Sequence, residues 1–245
     1  MITFLKKKKN LINCLPANFT EIHCHILPGI DDGAKNIEES IALLKRMKGY
    51  GIQKFICTPH SMEGVWENST EIIQKQLNLL NSELKNHNLE DVNIQAAAEY
   101  MMDHRFEELL ETEKLLTLKG HKILVEMSYF NPPVNLYELL FNIQVKGYQP
   151  VLAHPERYKF LHGNYKEYQK LKDAGCLFQL NLLSLTDHYG KSVQKTTLKL
   201  LNDKLYDFVG SDVHNQYHLD KLETIKSSKI VKLVTPLLEN NTTFI

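Results

Sequence analysis

Short apolar runs alternate along this chain with longer stretches in which apolar residues recur every three or four positions. The β-like runs lie near 20–26, 52–58, 92–98, 122–127, 149–153, 176–181 and 206–211. Between the first two, the helical period puts Ile37, Ile41 and Leu44 on one face, behind an Asn36/Glu39 capping box and ahead of Gly49 and Gly51. A second capping pair, Asn68 with Glu71, opens a helix with Ile73, Leu77, Leu80 and Leu84 inward. Further helices are predicted over about 103–115, after Pro132-Pro133, over about 164–174 ahead of Gly175, and over about 191–202. The tail from 217 supplies one or two more, with Pro236 breaking it or starting a turn.

Repeated strand–helix alternation implies parallel strands joined by right-handed crossovers. No linker, low-complexity block or repeat divides the chain. It reads as one domain over 1–245, with 1–18 as a partly flexible N-terminal extension. The alternation alone allows an open doubly wound sheet or a barrel, and the polar residues at the run ends decide between them. The runs end in His23-x-His25 with Asp31-Asp32 just beyond, in Thr-Pro-His60, in Glu99, in Glu126, in Ala-His154-Pro-Glu-Arg157 and in Ser-Asp212-x-His214. A barrel brings such ends to one rim, where barrels place active sites, whereas an open sheet strings them out. The expected fold is therefore an α/β, TIM-like (β/α)7 barrel of seven strands.

Alternation along a strand points His23 and His25 to one side and Cys24 to the other. At the rim, five imidazoles (His23, His25, His60, His154, His214) meet four carboxylates (Asp32, Glu99, Glu126, Asp212) with few cations. Buried carboxylates are costly unless paired, and bound divalent cations restore the balance. Mixed His and carboxylate ligands without thiolate suit Mn, Fe or Zn, and this many fit two or three ions. Adjacent ions can share a hydroxide and clamp a phosphoryl group.

Charge and cysteine usage narrow the field. Lys+Arg and Asp+Glu both number 29, so the formal net charge makes no case for nucleic acid or an anionic membrane. Cys14, Cys24, Cys57 and Cys176 show no C-x-x-C spacing and read as free thiols in a reducing cytoplasm. The first residues carry charge without a following apolar region, so they do not read as a signal peptide, and Lys6–Lys9 reads as a solvated, frayed terminus. No run is long enough for a membrane span. No cysteine has an Arg six residues later, which argues against a cysteinyl-phosphate route.

The set His23-x-His25, Asp32, Thr-Pro-His60, Glu99, Glu126, Ala-His154-Pro-Glu-Arg157 and Ser-Asp212-x-His214 resembles the polymerase and histidinol phosphatase (PHP) superfamily. The string His-Cys-His-Ile-Leu-Pro-Gly-Ile-Asp-Asp-Gly-Ala with Glu38-Glu39-Ser40 looks specifically like its bacterial tyrosine-protein phosphatase branch, which serves capsule and exopolysaccharide synthesis. The likeness covers about residues 19–230. It implies a distorted seven-stranded barrel and a trinuclear centre, commonly active with manganese. One ion would take His23, His25, Glu99 and Asp212. A second would share Glu99 and add Glu126 and His154, and a third would take Asp32, His60 and His214. Asp31 is then left either to support a ligand from outside the set or to shape the turn. The implied substrate is phosphotyrosine, notably the Tyr-rich tail of a partner bacterial tyrosine kinase, and an oligomer is possible. Candidate catalytic residues are Arg157, Asp212 and His214. Arg157 matches a family arginine that holds phosphate, a task suited to a guanidinium. The second Arg that family members often carry after the last Asp-x-His is absent, since that stretch reads Asn215-Gln-Tyr-His218, and His218 is the substitute candidate for phosphate.

The expected reaction is phosphomonoester hydrolysis, with a metal-bridging hydroxide attacking phosphorus. Trp66, Tyr100, Tyr129, Phe130 and Tyr217 are candidates to flank a mouth for an aromatic ring. Rival readings are a histidinol-phosphate or other small-molecule phosphatase, a nuclease, and a non-catalytic module that keeps the metals.

Overall fold

The computed structural model describes residues 10–245, so the expectation for Lys6–Lys9 lies outside the described residues. Within the expected N-terminal extension, Leu11–Cys14 forms a 3-10 turn. Leu11 is buried there, and its N–H donates to the Ile225 carbonyl at 2.9 Å.

Each predicted β run contains a strand. The strands are β1 (Thr20–Glu21), β2 (Lys54–Cys57), β3 (His60–Ser61), β4 (Asn93–Ala96), β5 (Glu99–Met101), β6 (Lys122–Glu126), β7 (Gln149–Ala153), β8 (Leu177–Asn181) and β9 (Phe208–Gly210). They form two parallel sheets, β1-β2-β4 and β3-β5-β6-β7-β8-β9, so the seven strands expected in one sheet become shorter segments in two. The two extra segments, β3 and β5, arise where the second and third runs are interrupted at Thr58-Pro59 and Ala97-Ala98. Pro59 has no N–H to give to a ladder. Pairing nonetheless crosses the gap, since Ala97 N–H donates to Cys57 O at 2.8 Å and Glu99 N–H to Pro59 O at 3.0 Å. Cys24 and Val213 form an isolated parallel bridge between the first run and the last.

The helices are α1 (Ile37–Gly49), α2 (Thr70–Glu83), α3 (His104–Thr112), α4 (Leu136–Val145), α5 (Lys159–His162), α6 (Lys166–Asp173), α7 (Lys191–Asn202), α8 (Gln216–Leu222) and α9 (Ser228–Asn240). Asn36 caps α1 as predicted, its side chain accepting from Glu39 N–H at 2.9 Å. The cap of α2 is Ser69, not Asn68. Asn68 is buried instead and spends its amide on the His60 and Ile30 carbonyls, both at 2.8 Å. Pro236 sits inside α9 rather than ending it. Burial of Val234, Leu237 and Leu238 on that helix offsets the bond a proline removes.

Alternation splits the core in two. Ile22, Ile56, Ala97, Leu124, Val151 and Ala153 cluster on one face of the strands, closed off by Leu118 and Phe244. Their neighbours Ile123, Val125 and Leu152 point the other way, into the large helix-facing core. Glu99 and Glu126 stand two residues beyond Ala97 and Leu124, so they share the face of the smaller cluster. The sheets curl about that cluster and hold the polar run ends above it.

Candidate metal centre

Two backbone bonds join the first and last runs beneath the centre. Asp212 N–H donates to His23 O at 2.8 Å, and His25 N–H donates to Val213 O at 2.9 Å. Close approach demands glycine here, because a Cβ on Gly210 would lie 2.5 Å from the His23 Cβ and one on Gly33 would lie 2.1 Å from the His25 carbonyl oxygen. Behind this junction the buried Glu21 carboxylate accepts from His23 N–H and Ser211 N–H, both at 3.0 Å. Two of the polar residues, His154 (φ 37°) and Asp212 (φ 52°), hold left-handed backbone conformations that cost a side-chain-bearing residue roughly 1–2 kcal/mol.

The innermost group is His23, His25, Glu99 and Asp212, all at most 1% exposed. His23 Nε2 lies 3.3 Å from His25 Nε2, 3.2 Å from Glu99 Oε2 and 3.4 Å from Asp212 Oδ1. His25 Nε2 is 3.4 Å from each of those oxygens. Ligand atoms about 2.0–2.2 Å from a shared ion in tetrahedral array lie about 3.3–3.6 Å apart, so the spacing suits one ion. The outward nitrogens are spoken for. His23 Nδ1 donates to Gln179 Oε1 at 2.8 Å, and the Gln179 amide is itself oriented by donating to Leu180 O. His25 Nδ1 donates to Asp31 Oδ2 at 2.8 Å. With Nδ1 held on the outside, both imidazoles turn Nε2 inward, the orientation typical of metal-ligating histidine. Glu99 Oε2, Asp212 Oδ1 and His154 Nδ1 are buried without a hydrogen-bond partner. Buried carboxylate oxygens without a hydrogen bond, set among imidazole nitrogens at ligand spacing, are costly unless a cation satisfies them, so the residues present fit metal ions.

The remaining polar residues surround this group. His60 Nδ1 lies 2.9 Å from Glu126 Oε1 and 3.2 Å from Glu99 Oε2. His154 Nε2 lies 2.9 Å from Glu99 Oε1 and 4.0 Å from Glu126 Oε2. Asp32 Oδ1 lies 3.2 Å from His214 Nε2 and 3.5 Å from His60 Nε2. Ligand-sized groups thus form as His25/Asp32/His60/His214, His23/His154/Asp212, His23/His25/Glu99 and His60/Glu99/Glu126. His60 thus belongs to two of these groups, with Asp32 and His214 and with Glu99 and Glu126, and His154 also approaches both glutamates.

Electrostatics follow from this crowding. Burial pushes the Glu99 and Asp212 carboxyls up, but neighbouring imidazoles, and Arg157 for Asp212, outweigh it and hold both well below the ordinary value. Burial likewise raises Asp32, yet His214 and His60 bring it down to about 2.

Arg157 Nη1 donates to Asp212 Oδ2 at 2.9 Å, and Asn181 Nδ2 donates to the same oxygen at 2.7 Å. The guanidinium lies between two rings, 4.5 Å from the centroid of Tyr129 and 4.1 Å from that of Tyr189. Above the polar floor opens a cleft of about 1020 Å³, to which Trp66, Tyr129, Phe130, Arg157, Tyr189 and His218 contribute. Trp66 stacks on His60 at 4.8 Å. Two aromatics expected at the mouth lie elsewhere. Tyr100 is 4% exposed and its hydroxyl oxygen accepts from Leu116 N–H at 2.9 Å, whereas Tyr217 is 54% exposed and not part of the cleft wall. His218 Nδ1 accepts from His214 N–H at 3.3 Å, and burial beside the His214 imidazole lowers its pKa to about 4. It faces the cleft as a neutral ring.

The model of the capsular polysaccharide synthesis family CpsB/CapC matches residues 19–229. The chain belongs to the CpsB/CapC family. Relatives include the tyrosine-protein phosphatase YwqE of Bacillus subtilis, 33% identical over 80% of this chain and 77% of the relative. The putative tyrosine-protein phosphatase CapC of Staphylococcus aureus is 31% identical over 80% of this chain and 76% of its own length. Crystal structures of YwqE and of CpsB from Streptococcus pneumoniae, described as unique metal-dependent tyrosine phosphatases, include a chain that superposes with a TM-score of 0.75 at 30% identity, over 92% of this CpsB/CapC chain and 96% of that one. A probable 2-pyrone-4,6-dicarboxylic acid hydrolase from Acinetobacter baumannii, 11% identical with a TM-score of 0.50, shares the fold alone over 93% of this chain and 98% of its own. Among the described residues of this family member, no helix is long and apolar enough to cross a membrane.

Sequence reasoning missed the supports of the centre in this CpsB/CapC chain. Gln179, Asn181 and Tyr189 are neutral residues with no spacing signal, and Glu21 lies in the first strand, two residues before His23, with no local sign of the N–H groups it accepts from. Glu156, fully buried, accepts from Asn181 N–H at 3.0 Å and from the Tyr206 hydroxyl at 3.0 Å, and burial raises its pKa to about 7. Its place between His154 and Arg157 in the sequence was the available clue.

Proposed function

We propose that the chain is a metal-dependent protein-tyrosine phosphatase acting on a phosphotyrosine protein, a bacterial tyrosine kinase of capsule or exopolysaccharide synthesis with a Tyr-rich tail. The observation that carries this reading is the pair of orphaned oxygens, Glu99 Oε2 and Asp212 Oδ1, buried among imidazole nitrogens beneath an aromatic-walled cleft. The names of the relatives support the substrate class. We assign His23, His25, Asp32, His60, Glu99, Glu126, His154, Asp212 and His214 to two or three ions, manganese first and iron or zinc as alternatives. Such ions, when bound, supply Lewis-acid charge and lower the pKa of coordinated water.

The chain's own residues do the rest. Arg157 spends Nη1 on Asp212, and its other N–H donors serve the phosphoryl oxygens. Tyr129 and Tyr189 both pack against the guanidinium and, with the bond to Asp212, restrict its position before substrate arrives. His218 meets phosphate as a neutral N–H donor rather than a cation. Phenolate is a good leaving group, and no residue is assigned as general acid. The two sheets belong to one distorted seven-run barrel in this reading, supported by the Cys24–Val213 bridge and by the pairing that crosses Thr58-Pro59. A cytoplasmic location fits the four free cysteines.

The test is hydrolysis by purified protein supplied with manganese, comparing a phosphotyrosine peptide with histidinol phosphate. The peptide should be favoured by at least about tenfold in kcat/KM, a modest demand on specific contacts. Preference for histidinol phosphate overturns the substrate assignment. Full metal occupancy without hydrolysis of either compound overturns the enzyme reading in favour of a binding module.

A further inference from the structure

A second groove, of about 610 Å³, adjoins the main cleft at Arg157. It shares Tyr129, Phe130, Arg157 and Tyr189 with the main cleft and adds Lys159, Phe160 and Val193. The two spaces differ in charge. The main cleft contains the carboxylates of Asp32, Glu63, Asp103, Glu126 and Asp212. The side groove is bordered by no carboxylate, only by two cations and apolar or aromatic walls. Arg157 is already paired with Asp212, whereas Lys159 is exposed and has no carboxylate within 4.0 Å among the described residues. Phe130, 85% exposed, forms the crest between the two spaces.

We propose that this side groove is a subsite for an acidic side chain, Asp or Glu, flanking the phosphotyrosine of a peptide substrate. The proposal rests on the phosphatase reading above and deepens it. A phosphotyrosine inserted beside Arg157 leaves its peptide backbone at the rim, and an extended chain advances about 3.3 Å per residue. The shared wall of Arg157, Tyr129 and Tyr189 therefore puts the groove within reach of a residue up to about three positions away. There the methylene stem of a glutamate lies against Phe160 and Tyr189 while its carboxylate meets the unspent charge of Lys159. A basic flanking residue meets only like charge, so the groove discriminates as well as attracts.

The test uses phosphotyrosine peptides that differ at one flanking position, Glu, Gln or Lys, with p-nitrophenyl phosphate as the substrate that cannot reach the groove. The wild type should favour Glu over Gln by about threefold in kcat/KM at low salt, as for a partly exposed ion pair, and the preference should shrink as salt rises. Lys159→Glu should reverse the order, favouring the Lys peptide, while p-nitrophenyl phosphate turnover stays unchanged. Equal use of the three peptides by the wild type, or the same order in Lys159→Glu, overturns the proposal. Fluorescence-anisotropy binding of the same peptides reads the groove without turnover. If no phosphoester is cleaved but the binding order still reverses in Lys159→Glu, the subsite stands and the phosphatase reading falls.

Discussion

Glu99 and Asp212 are at most 1% exposed, whereas Phe130 and Val134, bordering the same cleft, are 85% and 108% exposed. Around the two carboxylates every outward bond is taken. Gln179 holds His23, Asp31 holds His25, and Arg157 with Asn181 holds one oxygen of Asp212, so the orphaned atoms face only the centre. Around Phe130 the chain runs without helix or strand, and its N–H donates only to the Ser128 hydroxyl at 3.3 Å. The contrast separates two tasks. Ligand geometry tolerates errors of a few tenths of an ångström, so the floor is fixed by outer contacts and even accepts strained backbone at His154 and Asp212. The mouth is under no such constraint, and its rings and aliphatic side chains stay accessible.

The contrast can be broken in order of expected effect. Glu99→Ala removes the carboxylate closest to both His23 and His154, and should lower metal content and reduce turnover by on the order of 10³-fold, measured by elemental analysis beside p-nitrophenyl phosphate kinetics. Normal turnover in this variant would show that the floor is not the reaction centre. Arg157→Ala should cost about 10²-fold in kcat with metal content intact, since a single oriented donor group is lost. Loss of metal as well would mean that Arg157 serves chiefly to hold Asp212. Asp31→Asn keeps the shape behind His25 but weakens the hydrogen bond to its Nδ1. Metal affinity should fall about 10-fold or more, read as a shifted manganese titration with near-normal turnover at saturation. The smallest effect is expected at the mouth. Phe130→Ser should raise KM for a phosphotyrosine peptide a few-fold, leave p-nitrophenyl phosphate turnover unchanged and shift Tm little, because an exposed ring contributes little to folding. A large Tm loss would place Phe130 among the structural residues and collapse the distinction.

The gathering of imidazoles and carboxylates was legible because charge at the ends of apolar runs stands out, and because the period of two sets which side chains share a face. Ala97 with Glu99 and Leu124 with Glu126 obey that rule in the folded chain. The cap at Asn36 was equally local and equally legible. Asn68 was misread for the same reason that Asn36 was not: a capping pair is a local pattern, and at Asn68 long-range bonds to Ile30 and His60 outcompete it.

By itself, then, the order of residues determined the parallel α/β alternation, the inward faces and the chemical character of the rim, all set by neighbours within a few positions. Tertiary structure alone decided the division into two sheets, the hydrogen bonds that Asn181 and Arg157 make to Asp212, and the recruitment of Gln179 to His23 from 156 positions away. Those contacts join segments whose meeting depends on how strands curl and close, and a neutral amide in a strand carries no local sign of the imidazole it will hold.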